Sequence, residues 1–149
     1  MARRSRAREV TLQLLFQRDL NPTSLSREAI EQFVNDRLLG DREMMTYCLG
    51  LYDGTLKHQG EIDPKITETA TNWRLSRMLP VDRSILRLAT YELLFDPIKQ
   101  PFEVVIHEAN DLAGRFGSVD SAKFVNGVLD KIAKEPKKQE ERSRDSRPD

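Results

Sequence analysis

Apolar residues recur at helical spacing along most of the chain. Met45, Leu49, Tyr52 and Leu56 repeat every three or four positions, which is the spacing of one helix face. The same spacing, bounded by helix start and stop residues, predicts seven helices. They cover about residues 3–19, 25–38, 41–59, 63–74, 80–96, 101–116 and 119–134. The pattern therefore predicts an all-α protein.

Proline and glycine residues mark the expected helix ends. Asp63-Pro64 pairs an N-cap side chain with a proline suited to the first helical position, so the fourth helix is expected to begin there. Pro80 and Pro101 open the fifth and sixth helices, and Gly117 ends the sixth. The fifth helix is apolar around most of its circumference, which indicates a central position in a bundle.

The chain divides into a helical body and a charged tail. Its 149 residues suit one compact domain or two small halves that share a core. Residues 1–134 hold the predicted helices, whereas residues 135–149 are charged and lack aromatic residues, so this tail is expected to be disordered. No apolar run approaches the roughly 20 residues that cross a bilayer. The N-terminus also lacks the apolar stretch of a secretory signal.

Positive charge is concentrated at the N-terminus. The chain has 24 basic and 24 acidic residues, yet Arg3, Arg4, Arg6 and Arg8 stand in the first eight positions without an acid among them. Guanidinium groups form forked contacts with phosphate and stack on bases, so this segment is a candidate RNA-binding arm. For an arbitrary protein, the more common alternative is a solvated helix start.

A second candidate for RNA contact is Phe124, which follows Lys123 at the edge of the apolar stripe of the last helix. A partly exposed aromatic ring beside a cation is a common way to hold unpaired RNA bases. Pattern alone favours the alternative, in which this ring belongs to the core.

The catalytic candidates are weak. His107-Glu108 begins like the zinc-protease motif HExxH, but Asp111 stands where the second histidine belongs, so these three residues are expected to form a solvated face. Cys48 is the only cysteine, which excludes an intramolecular disulfide and a cysteine-based metal cluster. We expect Cys48 to be an apolar filler in a reducing cytoplasm. The sequence thus predicts no enzyme, no metal and no cofactor.

Three ordered blocks resemble the NusB family. The family's arginine-rich opening and first helix are matched by ARRSRAREVTLQLLFQRD. Its central signature resembles NWRLSRMLPVDRSILRLATYELLF. IHEANDLAGRFGSVDSAKFVNGVLDKI is similar to its closing signature. The likeness covers about residues 2–133 and is weak across 22–60. In two departures, His107 replaces the usual asparagine of the closing block and Ser5 interrupts the basic run.

The resemblance implies two packed three-helix bundles without catalytic activity or a cofactor. It also implies a heterodimer with NusE, a small-subunit ribosomal protein, that binds single-stranded boxA RNA of ribosomal RNA leaders. Such a pair nucleates an antitermination complex on RNA polymerase in the bacterial cytoplasm. Some relatives self-associate, so a homodimer of the free protein is also compatible with the resemblance.

The resemblance also assigns residues to surfaces. The RNA-binding positions are Arg3, Arg4, Arg6, Arg8, Asp120, Lys123 and Phe124. Phe16 and Asp82 fall where the family's partner-facing surface is expected. We expect the N-terminal arm and the ring of Phe124 to converge into one groove that holds an unpaired RNA strand.

Two other functions remain compatible with a helical chain of this kind. NusB-like domains also occur fused to ribosomal RNA cytosine methyltransferases, although this chain is expected to have no room for a methyl-donor-binding domain. Alternatively, the protein is a scaffold that contacts only proteins, with a merely solvated arginine-rich start. Binding of boxA RNA discriminates between these functions.

Overall fold

The structure, a computed structural model, describes residues 2–23, 25–70 and 74–145, with side chains described between Arg3 and Lys134. These ranges contain seven α-helices, one 3-10 turn at Leu75–Arg77 and no strand. The helices are α1 Ala2–Leu20, α2 Arg27–Arg37, α3 Arg42–Lys57, α4 Gln59–Thr69, α5 Pro80–Leu94, α6 Phe102–Phe116 and α7 Ser121–Asp145. The all-α prediction is confirmed.

Short polar residues and proline begin several of these helices. The Ser26 side chain accepts a hydrogen bond from the Ala29 backbone N–H at 3.1 Å and caps α2. Asp41 caps α3 in the same way. Pro80 is the first residue of α5, where its missing N–H costs nothing. These local signals explain why most predicted helix ends agree closely with the structure.

The prediction that Asp63-Pro64 opens the fourth helix is wrong. α4 begins at Gln59 and contains Pro64. The Asp63 carboxylate does not cap a helix but accepts two hydrogen bonds from the Arg87 guanidinium, at 2.9 and 3.0 Å. Ile62, on the turn before the proline, is fully buried, so this turn packs into the core as part of α4.

The helices form two packed three-helix bundles, as predicted. α1, α2 and α3 pack together in the first bundle, and α5, α6 and α7 pack together in the second. α4 packs on α5 and α7, while α1 and α5 lie against each other where the bundles meet. α5 is buried on all sides, including Ile85, Leu86 and Leu88, which explains its nearly uniform apolar character.

The central helices α1 and α5 run antiparallel. Arg8, near the start of α1, binds Glu92 near the end of α5. Asp19, at the end of α1, binds Arg83 near the start of α5. The start of α1 therefore lies beside the C-terminal end of α5, and this arrangement decides which surfaces are neighbours.

The last helix is longer than expected. α7 continues to Asp145, into the tail for which the sequence predicts disorder, and residues 146–149 of that tail lie outside the described residues. The extension consists mainly of Lys, Gln, Glu and Arg, which are good helix formers. Their helix propensity favours a helix here even though the segment has little apolar surface to bury. Within the described ranges, every helix is too short or too polar to cross a membrane.

Candidate nucleic-acid interface

The first two turns of α1 carry exposed arginines. Arg3 is 58% exposed and donates hydrogen bonds to both Asp41 oxygens, at 2.9 and 3.0 Å. This contact lowers the pKa of the Asp41 carboxyl. Arg6 is 43% exposed and pairs with Glu9 at 3.0 Å. Because both guanidinium groups remain about half exposed in these ion pairs, phosphate groups can still contact them.

Arg4 is held differently from its neighbours. Its guanidinium lies over the ring of Tyr47, 5.2 Å from the centroid, and the side chain is half-buried. It makes no ion pair with a carboxylate of the described residues. Arg4 is therefore a pre-positioned cation whose charge is available for an anion.

The prediction that Arg8 contacts RNA requires correction. Arg8 is 2% exposed, donates to Glu92 at 2.9 Å and lies 3.7 Å from Glu108. As predicted, α1 places Arg8 one turn from Arg4 on the same helix face, and both guanidinium groups lie over the Tyr47 ring. Arg8, one turn further into the helix, is buried in the interface between the bundles. Two buried carboxylates already neutralise Arg8, so it holds the arm in place and is not exposed to an RNA strand.

A groove with the composition expected for base contact lies between the starts of α5 and α7. We call it the Phe124 groove; it has a volume of about 360 Å³ and is lined by Met78, Leu79, Asp82, Asp120 and Phe124, together with Arg77, Ser118 and Ser121. Phe124, at the edge of the apolar stripe of α7, packs against the core but is only half-buried. Asp120 and Lys123 are exposed beside it.

Asp82 is the buried acid of this groove. Its side chain is 6% exposed, and Oδ1 has no hydrogen-bond partner. Burial raises the pKa of this carboxyl, and the hydroxyl of Ser121 offsets only part of the effect. An unpaired buried acceptor of this kind can receive a hydrogen bond from a ligand N–H group.

The two positions expected to face a partner lie at the same end of the central helix pair. Phe16 is half-buried on α1, one turn before Asp19, and Asp82 precedes the Arg83 that binds Asp19. Asp82 thus shares the Phe124 groove with two residues assigned to RNA contact. The assignment of Phe16 and Asp82 to a protein partner stays a prediction.

The expectation that the arm and the ring converge into one groove is wrong. Arg4 lies near Asp96 and Ile98, just after α5 ends, whereas the Phe124 groove contains Leu79 and Asp82, where α5 begins. The 15 residues of α5 separate these places by about 20 Å, at roughly 1.5 Å per helical residue. A bound strand must therefore extend along the molecule to contact both.

Arg115 provides a cation between the two places. It lies at the end of α6, is 47% exposed and pairs with Glu9 at 3.1 Å, while Glu9 also pairs with Arg6. Ser118, three residues further on, lines the Phe124 groove. Sequence reasoning missed Arg115 because the contact joins residues 106 positions apart, and no local pattern signals it.

The structure also describes the residues considered for catalysis. Glu108 is buried and accepts a hydrogen bond from Ser5 at 2.6 Å. The expectation that it belongs to a solvated face is therefore wrong. Among the described residues, no three His, Cys, Asp or Glu side chains come together as metal ligands. Cys48 is buried, and burial raises the pKa of its thiol to about 11, so the sulfur is a poor nucleophile.

Two helical bundles with exposed arginines at one end and an aromatic groove at the other define an all-helical protein suited to binding nucleic acid. Comparison with known families makes the assignment specific. The NusB family matches residues 5–134, so the chain belongs to that family. Its members are non-enzymatic RNA-binding antitermination factors. This membership confirms the predictions of family, fold and lack of enzymatic activity.

The relatives cover nearly the whole chain. Transcription antitermination protein NusB of Elusimicrobium minutum is 45% identical over 139 residues, which are 92% of this chain and 97% of the relative. The Anaeromyxobacter dehalogenans protein of the same name is 44% identical and covers 89% of this chain and 91% of its own.

Solved structures show the same fold. T. maritima NusB has a TM-score of 0.78 at 38% identity and covers 93% of this chain and 96% of its own. A further structure contains antitermination factors NusB and NusE in complex with double-stranded RNA, and its matching chain has a TM-score of 0.77 at 28% identity. That match covers 90% of this chain and 98% of the other.

Proposed function

We propose that this protein binds single-stranded boxA RNA of ribosomal RNA leader transcripts as a heterodimer with NusE. The pair then nucleates an antitermination complex on RNA polymerase in the bacterial cytoplasm. Relatives at 44–45% identity carry the name of the antitermination protein, and one solved structure joins NusB and NusE with double-stranded RNA. These similarities support the partners, and the geometry of the chain supports the mode of RNA contact.

The observation that carries this proposal is the Phe124 groove. The ring of Phe124 offers a stacking surface, and Oδ1 of Asp82 is an unpaired acceptor in the same cavity. Unpaired bases have flat faces for stacking and edges with N–H donors, whereas the bases of a duplex are stacked and paired. The groove therefore favours an unpaired base over a paired one.

Cations along the surface supply attraction that does not depend on sequence. Arg3, Arg4 and Arg6 are available at one end, and Lys123 is exposed at the other. Four phosphate contacts with a single strand imply a salt slope of about −3, at roughly −0.7 per contact. A surface of this size binds modestly, which gives a physical reason for a second protein that adds contacts.

The neighbourhood of the Phe124 groove also suits a protein partner. Leu79, Phe116 and Val119 are exposed by 47%, 40% and 99%, and all lie in or beside the segments that line the groove. Apolar side chains grouped on the surface are typical of interaction sites. We therefore place the NusE contact at this end, together with Phe16 and Asp82, so that partner and RNA meet beside the same groove.

Filter binding with a boxA oligonucleotide tests the proposal. We expect the protein to bind the single strand, to bind it more tightly when NusE is added, and to prefer it over a scrambled strand and over the boxA duplex. Binding of NusE without any effect on RNA affinity would support the protein-only scaffold. Light scattering of the free protein measures whether it forms a homodimer before NusE binds.

A further inference from the structure

A second groove lies at the opposite end of α5 from the Phe124 groove. We call it the Tyr47 groove; it has a volume of about 460 Å³, and its lining includes Arg4, Tyr47, Gly50, Leu51, Asp96 and Ile98. It runs between α3 and the segment that follows α5. The lining is mostly apolar, with two aromatic rings from Tyr47 and Tyr91.

Two buried polar atoms of this groove have no hydrogen-bond partner. The Tyr47 hydroxyl and Asp96 Oδ2 are both unpaired, in side chains that are 9% and 4% exposed. The other oxygen of Asp96 accepts the backbone N–H of Ile98 at 3.0 Å, which holds the carboxylate in place. Burial and the nearby carboxylates of Glu92 and Asp96 raise the pKa of Tyr47 to about 12, so its hydroxyl keeps a proton to donate.

We propose that the Tyr47 groove holds one unpaired base of the same RNA strand, at a position distinct from the base in the Phe124 groove. This inference rests on the proposed RNA binding. The hydrogen-bonding edge of a nucleobase presents both donors and acceptors, and two residues that line the groove carry an unpaired donor, on Tyr47, and an unpaired acceptor, on Asp96. The base donates to Asp96 and accepts from Tyr47, while its flat face contacts the apolar lining.

Arg4 favours a nucleotide over a protein side chain in this groove. Its guanidinium lies on the Tyr47 ring at the groove, without a carboxylate partner among the described residues. A base bound here has its own phosphate next to it, and Arg4 can neutralise that charge. The exposed Arg3 and Arg6 continue the basic surface on the same helix, so the neighbouring phosphates also meet cations.

Gly50 allows the groove to be filled without disturbing the core. It lies in α3, lines the groove and is exposed, and a Cβ built on it meets no atom within 4 Å. Gly50→Leu is therefore expected to occupy the space of the base. Gly60→Leu is the matched control, because Gly60 is an exposed helical glycine of α4 with equally open surroundings. Leucine favours the helix over glycine, so both variants should raise the thermal midpoint.

The test combines these variants with boxA oligonucleotides that each lack one base. We expect one abasic position to weaken binding to the unmodified protein and to Gly60→Leu by about tenfold, within the range for loss of one stacked base. Gly50→Leu should bind the intact strand about tenfold more weakly than the unmodified protein does. It should bind the strand with that abasic position as tightly as the intact strand. Tyr47→Phe, which keeps the ring under Arg4, should weaken the intact strand but not the strand that lacks this base.

Three results separate the alternatives. If Gly50→Leu binds every oligonucleotide as Gly60→Leu does, the groove holds no base and the inference is wrong. It is equally wrong if Gly50→Leu loses NusE but retains the RNA, because the groove then receives a protein. If the unmodified protein binds no boxA RNA at all, the proposed function itself fails.

Discussion

The guanidinium of Arg8 binds the carboxylate of Glu92 in the interior of the protein, with both side chains 2% exposed. The two residues are 84 positions apart and join the first helix of one bundle to the central helix of the other. A second carboxylate, Glu108, lies 3.7 Å from the same guanidinium and accepts a hydrogen bond from the Ser5 hydroxyl. This buried cluster holds the start of α1, which carries the arginines, against the second bundle.

Replacement of Arg8 should therefore affect stability more than RNA contact. We expect Arg8→Met to lower the free energy of unfolding by about 3–5 kcal/mol at neutral pH, because two buried carboxylates lose their cation. Urea unfolding measures the change. Arg27→Met is the control, since it removes an ion pair with Asp53 that is half exposed on both sides and should cost less than about 1 kcal/mol. Equal effects of the two variants would contradict the structural role of Arg8.

The cost of Arg8→Met should also depend on pH. Burial, together with Asp96 and Glu108, raises the pKa of Glu92 against the lowering effect of Arg8. A carboxyl whose pKa is raised in the folded state stabilises the fold below its unfolded pKa, and this stabilisation is lost as the pH rises through the folded pKa. Without Arg8 the folded pKa rises further. The destabilisation should therefore shrink as the pH falls through the raised folded pKa of Glu92 in the variant, because the carboxyl then takes up a proton and no longer needs a cation. Adding Glu92→Gln to Arg8→Met should remove most of this dependence.

Replacement of the exposed arginines should change the salt dependence of RNA binding. We expect Arg3→Ala, Arg4→Ala and Arg6→Ala together to weaken binding of any RNA and to reduce the salt slope by about 2, at roughly 0.7 per lost contact. Titrations at several salt concentrations measure the slope. Arg27→Ala, in an exposed part of α2, should leave the salt slope unchanged. If it reduced the slope as much as the triple variant does, the phosphate contacts would not be specific to the start of α1.

The ring of Phe124 should contribute affinity without a salt effect. We expect Phe124→Ala to cost about 1–3 kcal/mol in RNA binding at an unchanged salt slope, because stacking releases no counterions. Phe33→Ala is the matched control, since Phe33 is also a half-buried phenylalanine packed against the core. Both variants should be somewhat less stable, but only Phe124→Ala should bind RNA more weakly. Unfolding of Phe124→Ala under native conditions would show that the ring is essential to the core.

Asp82 should reduce the stability of the fold at neutral pH. Burial raises the pKa of its carboxyl, so its ionised form is disfavoured in the folded state once the pH exceeds that pKa. Asp82→Asn removes the buried charge but keeps the shape of the side chain. We expect it to raise the free energy of unfolding by about 1 kcal/mol at neutral pH, since an unsatisfied buried group costs more when it is charged. The gain should vanish below the ordinary pKa of aspartate.

The exposed Asp120 provides the comparison for Asp82. Asp120→Asn lies in the same groove but should leave the stability unchanged, because water already solvates its charge. A decrease in stability with Asp82→Asn would mean that the carboxylate has a partner in the folded protein.

Local chemistry was enough to predict most of the helices. Ser26, Asp41, Pro80 and Gly117 act on the turn in which they stand, so their effects can be recognised without any tertiary contact. The place of Phe124 at the edge of the apolar stripe left two alternatives open, a surface for RNA bases or a part of the core, and the structure shows a half-buried ring packed against the core. The failure at Asp63-Pro64 has the opposite origin, because Arg87 binds the Asp63 carboxylate from another helix.

By itself, the sequence determined the all-helical class, the family and the residue types available for RNA contact, because periodicity, capping and ordered motifs are local properties. Only the tertiary structure decided which of these residues are available to a ligand. It buries Arg8 between Glu92 and Glu108, places Asp82 beside Phe124 and separates that groove from Arg4 by the length of α5. The physical reason is that burial and pairing depend on helices that meet across 60 to more than 100 positions, as in Asp19–Arg83 and Glu9–Arg115.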